Sequence, residues 1–313
     1  MQSPAPAGLV IVHARSDAEL EQLAAIRRAV DPDANPLVAS LRHRLDSFPG
    51  ATFLLASLTG RPVGCGYAEP FTANDGETTI TADMSVIPSD RGQGVGSALY
   101  RAASAHARSL GKTGLTVEAK EDDEPSLAWL GRRGFVEIER QKAVALDVRA
   151  VASGSSEPPA GVLIVPEAGN SRYEPGMYEV ALGAMRDIPG LDGAHAPTYE
   201  QWRATEVERP SRRKDLSFVA LAGDEVIGYA SLHVFGDPTV AHNSLTVVAR
   251  GWRKRGVATA LKRAQIGAAR QSGIVRLRTE SEERNVPMRR LNEKLGYRPA
   301  PGTVVLQGPL ARA

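Results

Sequence analysis

The chain has 313 residues, about twice the ~150 of an ordinary domain, and two domains are expected. Hydrophobic residues make up 42% and glycine adds 30 positions, which excludes a disordered chain; the single cysteine, Cys65, excludes a disulfide framework and a cysteine zinc site. The 38 Lys+Arg nearly balance the 36 Asp+Glu, and no apolar run approaches the ~18 residues of a membrane span, so no membrane partner is expected.

In chain order, Met1-Gln2-Ser3-Pro4 lacks a secretory pattern, and a cytoplasmic location is expected. Residues 18–30 place Leu20, Leu23, Ala24 and Ile26 on one helical face, and a second helix is predicted over 37–47. Strands are predicted over 52–58, 63–69 and 78–87. A helix follows over 95–110, stopped by Gly111 at its C-cap. Leu115-Thr116-Val117 reads as a strand. Pro125 opens a short helix that Gly134 ends, and 135–147 returns as a strand. The second half repeats this pattern with strands at 218–222, 226–233, 243–248 and 274–279, helices at 257–271 and 286–295, and a final strand. The fold class is α+β, each half a mixed, mostly antiparallel sheet flanked by helices.

The repetition is literal. At an offset of 162 residues Gly66-Tyr67 falls on Gly228-Tyr229, Arg91 on Arg253, Gly94 on Gly256, Gly111 on Gly273, Glu118 on Glu280, and Gly134-Phe135 on Gly296-Tyr297. The chain reads as one domain duplicated: 9–149, a Ser/Pro/Gly-rich linker at 150–161, and 162–311. The copies differ in charge: residues 1–150 carry net −3 and 151–313 net +5. A basic half suits an anionic partner, or is simply a solvated surface.

Two matched loops join a strand to a helix. Val86 precedes Arg91-Gly92-Gln93-Gly94-Val95-Gly96, and Val248 precedes Arg253-Lys254-Arg255-Gly256-Val257-Ala258. Free N–H groups at a helix start, with glycines that let a phosphate approach, make an anion site. Ser97 spoils the dinucleotide pattern, and Val257-Ala258 spoil the P-loop.

These loops and the later Gly-Phe and Gly-Tyr pairs resemble the GNAT (GCN5-related) superfamily of coenzyme A-dependent N-acyltransferases, whose loop reads Arg/Gln-x-x-Gly-x-Gly/Ala. Asp187-Ile188-Pro189-Gly190, Ala260-Leu261-Lys262-Arg263 and Asn285–Asn292 are similar to mycothiol synthase-like tandem enzymes. The resemblance implies that the loop amides hold the pyrophosphate of acetyl-CoA or another acyl-CoA, with the Val86 or Val248 backbone beside the pantetheine. Asn285 matches a position that often contacts the cofactor, and also reads as a helix N-cap. The acid that the family often places four residues before Gly-Phe is replaced by Leu130 and Asn292.

An attacking amine must lose a proton, and the candidate bases are Asp83, Glu118, Glu280 and His242. His233 ends a neighbouring strand. The six histidines show no metal-ligand spacing, and no metal is expected. The resemblance implies acyl transfer from acyl-CoA to a small-molecule amine. Two other readings stand beside it. An aminoacyl-tRNA donor is motivated by Arg209-Pro210-Ser211-Arg212-Arg213-Lys214; a non-catalytic coenzyme A-binding scaffold or sensor is motivated by the missing acid.

Overall fold

The computed structural model describes residues 6–31, 36–70, 78–151, 157–185, 187 and 196–312. The first copy runs β1 (Leu9–Ala14), α1 (Asp17–Val30), α2 (Val38–Ser47), β2 (Thr52–Leu58), β3 (Arg61–Glu69), β4 (Thr79–Val86), α3 (Val95–Ser109), β5 (Gly114–Lys120), α4 (Glu124–Gly131) and β6 (Val136–Asp147). The second runs β7 (Leu163–Pro166), α5 (Glu174–Met185), α6 (Tyr199–Trp202), β8 (Phe218–Ala222), β9 (Glu225–Val234), β10 (Val240–Val248), α7 (Val257–Gln271), β11 (Arg276–Glu282), α8 (Val286–Lys294) and β12 (Arg298–Pro309).

Local chemistry accounts for the boundaries. Ser16 caps α1 through a reciprocal box with Glu19. The predicted inward face, Leu20, Leu23, Ala24 and Ile26, is buried against Phe53, Leu55 and Cys65. Asp123 and Asn285, matched at the offset of 162, cap α4 and α8 by accepting from Ser126 N and Met288 N, each ahead of a proline.

The chain divides into two compact units, and each takes one strand from the other copy. Unit 1 is Met1–Arg140 with Thr303–Ala313; unit 2 is Gln141–Gly302. In unit 1 the sheet order is β1-β2-β3-β4-β5-β12; in unit 2 it is β6-β11-β10-β9-β8-β7. The boundaries 9–149 and 162–311 follow the repeat along the chain, whereas the contacts assign the last strand of each copy to the other unit. The register supplies a reason. Gly308 sits opposite Leu115, and Leu146 opposite Leu277, the equivalent place in unit 2. A Cβ on Gly308 would lie 2.4 Å from the Phe135 ring, so unit 1 accepts the glycine of β12 there and would collide with the leucine of β6.

Candidate active site

In unit 1, β4 and β5 pair in parallel from Thr79↔Gly114 to Ala82↔Val117, where the register ends. Beyond it β4 continues through Asp83–Val86 and β5 through Glu118–Lys120, so the two strands part into an open mouth. Unit 2 repeats the design: β10 and β11 pair from Val240↔Arg276 to His242↔Arg278 and then part. There the Thr279 hydroxyl donates to the Asn243 carbonyl at 3.0 Å, at a bulge in β10 between Asn243 and Leu245. The β3–β4 register of unit 1 runs without a bulge.

Each β4-like strand leads into a loop with one backbone course. Gly94 and Gly256 each cap the following helix at φ +89°. Gly92 has φ +78°, and its counterpart Lys254 takes φ +60°, a conformation unfavourable to a side chain. Both loops tie back to their strands. Arg91 Nε donates to the Val86 carbonyl at 3.1 Å, and Arg253 Nε to the Val248 carbonyl at 2.9 Å. Val95 and Val257 anchor the helices in the two cores, while Gln93 and Arg255 are exposed. Gly96 and Ala258 keep the first turn narrow. The N–H groups of that turn have no intrahelical acceptors and carry the positive end of the helix dipole. An anionic pyrophosphate fits this construction.

The candidate bases separate into two groups. Asp83 and Glu118 are the first residues past the last β4–β5 pair, and they flank the mouth of unit 1. Asp83 is ion-paired with Arg27 of α1, and its register partner on β3 is Tyr67. Burial, with Asp83 and Glu118 adding to it against the opposing Arg44 charge, pushes the Tyr67 phenol up to about 12. At the offset of 162 the counterpart of Glu118 is Glu280, which lies two residues past the last β10–β11 pair and is exposed, but the counterpart of Asp83 is Leu245. His242 lies below the mouth, opposite His233 and Arg278 in the paired part of the sheet, with its ring edge-on to Phe235 at 5.1 Å. His233 is fully buried, shares a 3.0 Å hydrogen bond with Ser211, and is pushed down to about 3, chiefly by burial.

Leu130 and Asn292 are both buried, and neither supplies an acid. Sequence reading missed a second matched pair, one that the offset of 162 would have found. Tyr100 of α3 and Lys262 of α7 point from the helix toward the sheet. Tyr100 donates to the Pro309 carbonyl at 2.5 Å, and Lys262 to Asn243 Oδ1 at 3.0 Å. Burial alone pulls the Lys262 ammonium down to about 7. Cys65, buried beside Asp83, is pushed up to about 12 and serves as a core residue.

The basic cluster at 209–214 is largely paired internally. Arg212 is buried with Glu167 at 2.8 Å, Arg213 holds Asp215 at 2.6 Å, and Lys214 reaches Glu174 at 3.4 Å. Ile188, Pro189 and Gly190 lie outside the described residues. Among the described residues no group of three or more His, Cys, Asp or Glu is placed to hold a metal, and no helix is long and apolar enough to cross a membrane.

Comparisons with known proteins agree with this geometry. The sequence matches the family described as the acetyltransferase (GNAT) family over residues 19–135 and again over 184–297. A search of curated proteins returns no match. Among solved structures, a tandem GNAT protein from the clavulanic acid biosynthesis pathway is 24% identical, with a TM-score of 0.78 over 97% of this chain and 99% of its own. A GCN5-related N-acetyltransferase from Sphaerobacter thermophilus is 15% identical, with a TM-score of 0.73 over 99% and 98%. A GNAT-family acetyltransferase from Colwellia psychrerythraea is 15% identical, with a TM-score of 0.61 over 96% and 100%. Two splayed strand pairs, each ending in a glycine-capped helix, and a family match in each half lead to one conclusion: this chain belongs to the GNAT acetyltransferase family and carries its domain in tandem.

Proposed function

We propose that the protein is an acyl-CoA-dependent N-acyltransferase that moves an acyl group, acetyl in the simplest case, onto the amine of a small molecule. The observation that carries this reading is the pairing of an open strand mouth with a helix capped by a positive-φ glycine, Gly94 or Gly256. The acyl-CoA thioester supplies an electrophilic carbonyl and a thiolate leaving group. The loop amides from Gly92 to Gly96 face a pyrophosphate. Backbone N–H groups of β4 freed from β5 donate to the oxygen that gains charge as the amine attacks. Asp83 and Glu118, at the mouth, take the proton that the ammonium must lose. With Leu130 and Asn292 at the usual acid position, the thiolate takes its proton from solvent.

An aminoacyl-tRNA donor drew on the cluster at 209–214, whose Arg212, Arg213 and Lys214 are engaged by carboxylates of their own unit, so coenzyme A is the preferred donor. The reaction needs no metal and takes place in the cytoplasm. Calorimetry of the whole chain with coenzyme A tests the reading. Binding in the micromolar range is expected, and no heat at millimolar ligand would overturn it. Thiol release from acetyl-CoA in the presence of a panel of primary amines then identifies the acceptor.

A further inference from the structure

The two anion loops share a backbone but not a state. In unit 2 the Asp187 carboxylate, just past the end of α5, accepts from Arg253 Nη1 at 2.7 Å and from Arg250 Nε at 2.9 Å. These are the loop arginine and the residue three before it. Their guanidinium groups hold the Asp187 carboxyl well below the usual carboxylate range, so it stays an anion at neutral pH. The linker adds cover: a Cβ on Gly256 would lie 3.4 Å from Pro159, whose own carbonyl accepts from Val162 N at 3.0 Å. Unit 1 lacks the first feature: among the described residues Arg91 bonds the Val86 carbonyl and no carboxylate.

We infer that Asp187 is an internal anion that latches the unit 2 loop, and that unit 1 is the unit that takes acyl-CoA in the resting protein. This rests on the acyl-CoA reading above and assigns it to one of the two copies. A carboxylate and a phosphate compete for the same guanidinium edge, since both present paired oxygens that accept two parallel N–H bonds. A pyrophosphate reaching Gly256 must first displace Asp187 from Arg253. Arg250 is two-thirds exposed and its bond is worth little, whereas Arg253 is only about one-third exposed and holds both the carboxylate and the strand end. The split of candidate bases falls the same way. Asp83 stands at the mouth of unit 1, where unit 2 has Leu245.

The test is the number of coenzyme A molecules bound per chain, read by calorimetry on the full-length protein. Wild type is expected to bind one, and Gly94→Glu to bind none. Asp187→Asn keeps the shape of the side chain and removes its charge; it is expected to raise unit 2 affinity about tenfold and the count to two. The double variant Gly94→Glu/Asp187→Asn is expected to bind one. Two molecules bound by wild type, survival of the wild-type site in Gly94→Glu, or a count still at one in Asp187→Asn would each overturn the latch. No binding by wild type and by Asp187→Asn alike would strike down the acyl-CoA reading itself, and that result differs from all of these. Circular dichroism of each variant separates loss of binding from loss of fold; the latch is also overturned if folded Gly94→Glu/Asp187→Asn binds nothing.

Discussion

The guanidinium of Arg27, on α1, is ion-paired with the carboxylate of Asp83, the first residue of β4 beyond its pairing with β5. Both side chains are about one-quarter exposed, so the pair is neither a core bridge nor a free surface contact. It fixes a carboxylate at the open mouth, with Glu118 across from it on β5.

That placement predicts a division of labour. Asp83→Asn should lower the rate of amine acylation about 100-fold if Asp83 takes the proton. Its acetyl-CoA affinity should stay within a factor of two of wild type, because the thioester and the pyrophosphate meet other groups. Glu118→Gln should cost less than tenfold, since Glu118 is exposed and water can take its place as proton acceptor. Single-turnover measurements with saturating acetyl-CoA separate the two effects. A larger loss for Glu118→Gln than for Asp83→Asn would exchange their roles.

Much of this was legible before the structure. The offset of 162 aligned the loops, and both take the same φ at Gly94 and Gly256. Caps and periodicity located α1, α3, α7 and α8 to within a residue or two, because Gly111, Asn285 and the buried Leu and Ala positions act locally. The strands β1 and β7 were missed: each lies at a sheet edge and is short, and of their residues only Ala14 is buried. The α5 region was missed because Gly176 and Gly183 interrupt its apolar pattern. The Arg27–Asp83 pair and the latch of Asp187 join residues 56 and 63 or more positions apart, and no sequence period connects them. The strand exchange was invisible for a different reason: the two last strands are homologous, and the contact of Gly308 with Phe135 that tells them apart exists only in three dimensions.

The exchange predicts which half fails when the C-terminus is cut. Removing residues 303–313 deletes the partner of β5 from Gly114 to Lys120. Buried Val304 and Leu306 are lost from the unit 1 core, as is the Ala311 N–H that donates to Ser104 at 2.9 Å. Hydrogen exchange should then show loss of protection in 95–109 and 114–120 while 276–282 stays protected. The opposite pattern would mean that each copy closes on its own strand. Gly308→Leu is the single-residue version and should destabilise unit 1 by several kcal/mol through overlap with Phe135.

Arg212 and Glu167 form an ion pair with both side chains 2% exposed or less. Removing one partner leaves the other charged and buried, so Arg212→Ala should cost about 3–5 kcal/mol in chemical denaturation. If the basic cluster instead served an RNA backbone, Arg213→Ala and Lys214→Ala would reduce the salt slope of RNA binding by about one each. Filter binding across salt is expected to show no such change, because both cations face carboxylates of their own unit.

Lys262 gives unit 2 a pH dependence whose sign can be worked out. Its side chain is buried against the Tyr297 ring at 5.5 Å and Asn243 at 3.0 Å, and burial pulls its ammonium down to about 7 from the ordinary 10.5. Between these values the unfolded chain binds a proton that the folded unit does not, so stability rises with pH. The slope is at most about 1.4 kcal/mol per pH unit, and the gain is lost as pH falls toward 7. The usable window ends near pH 10, where the buried Tyr297 phenol, itself pushed up, begins to oppose the trend. Lys262→Met keeps the length of the side chain and carries no charge. It should flatten the profile between pH 7 and 9.5 and raise the unit 2 melting temperature at pH 7, where the wild-type amine is half protonated in an apolar setting. Thermal melts of the two proteins at half-unit steps of pH decide the matter. A wild-type profile that is flat, or that falls with rising pH, would show that Lys262 keeps its charge through its bond to Asn243.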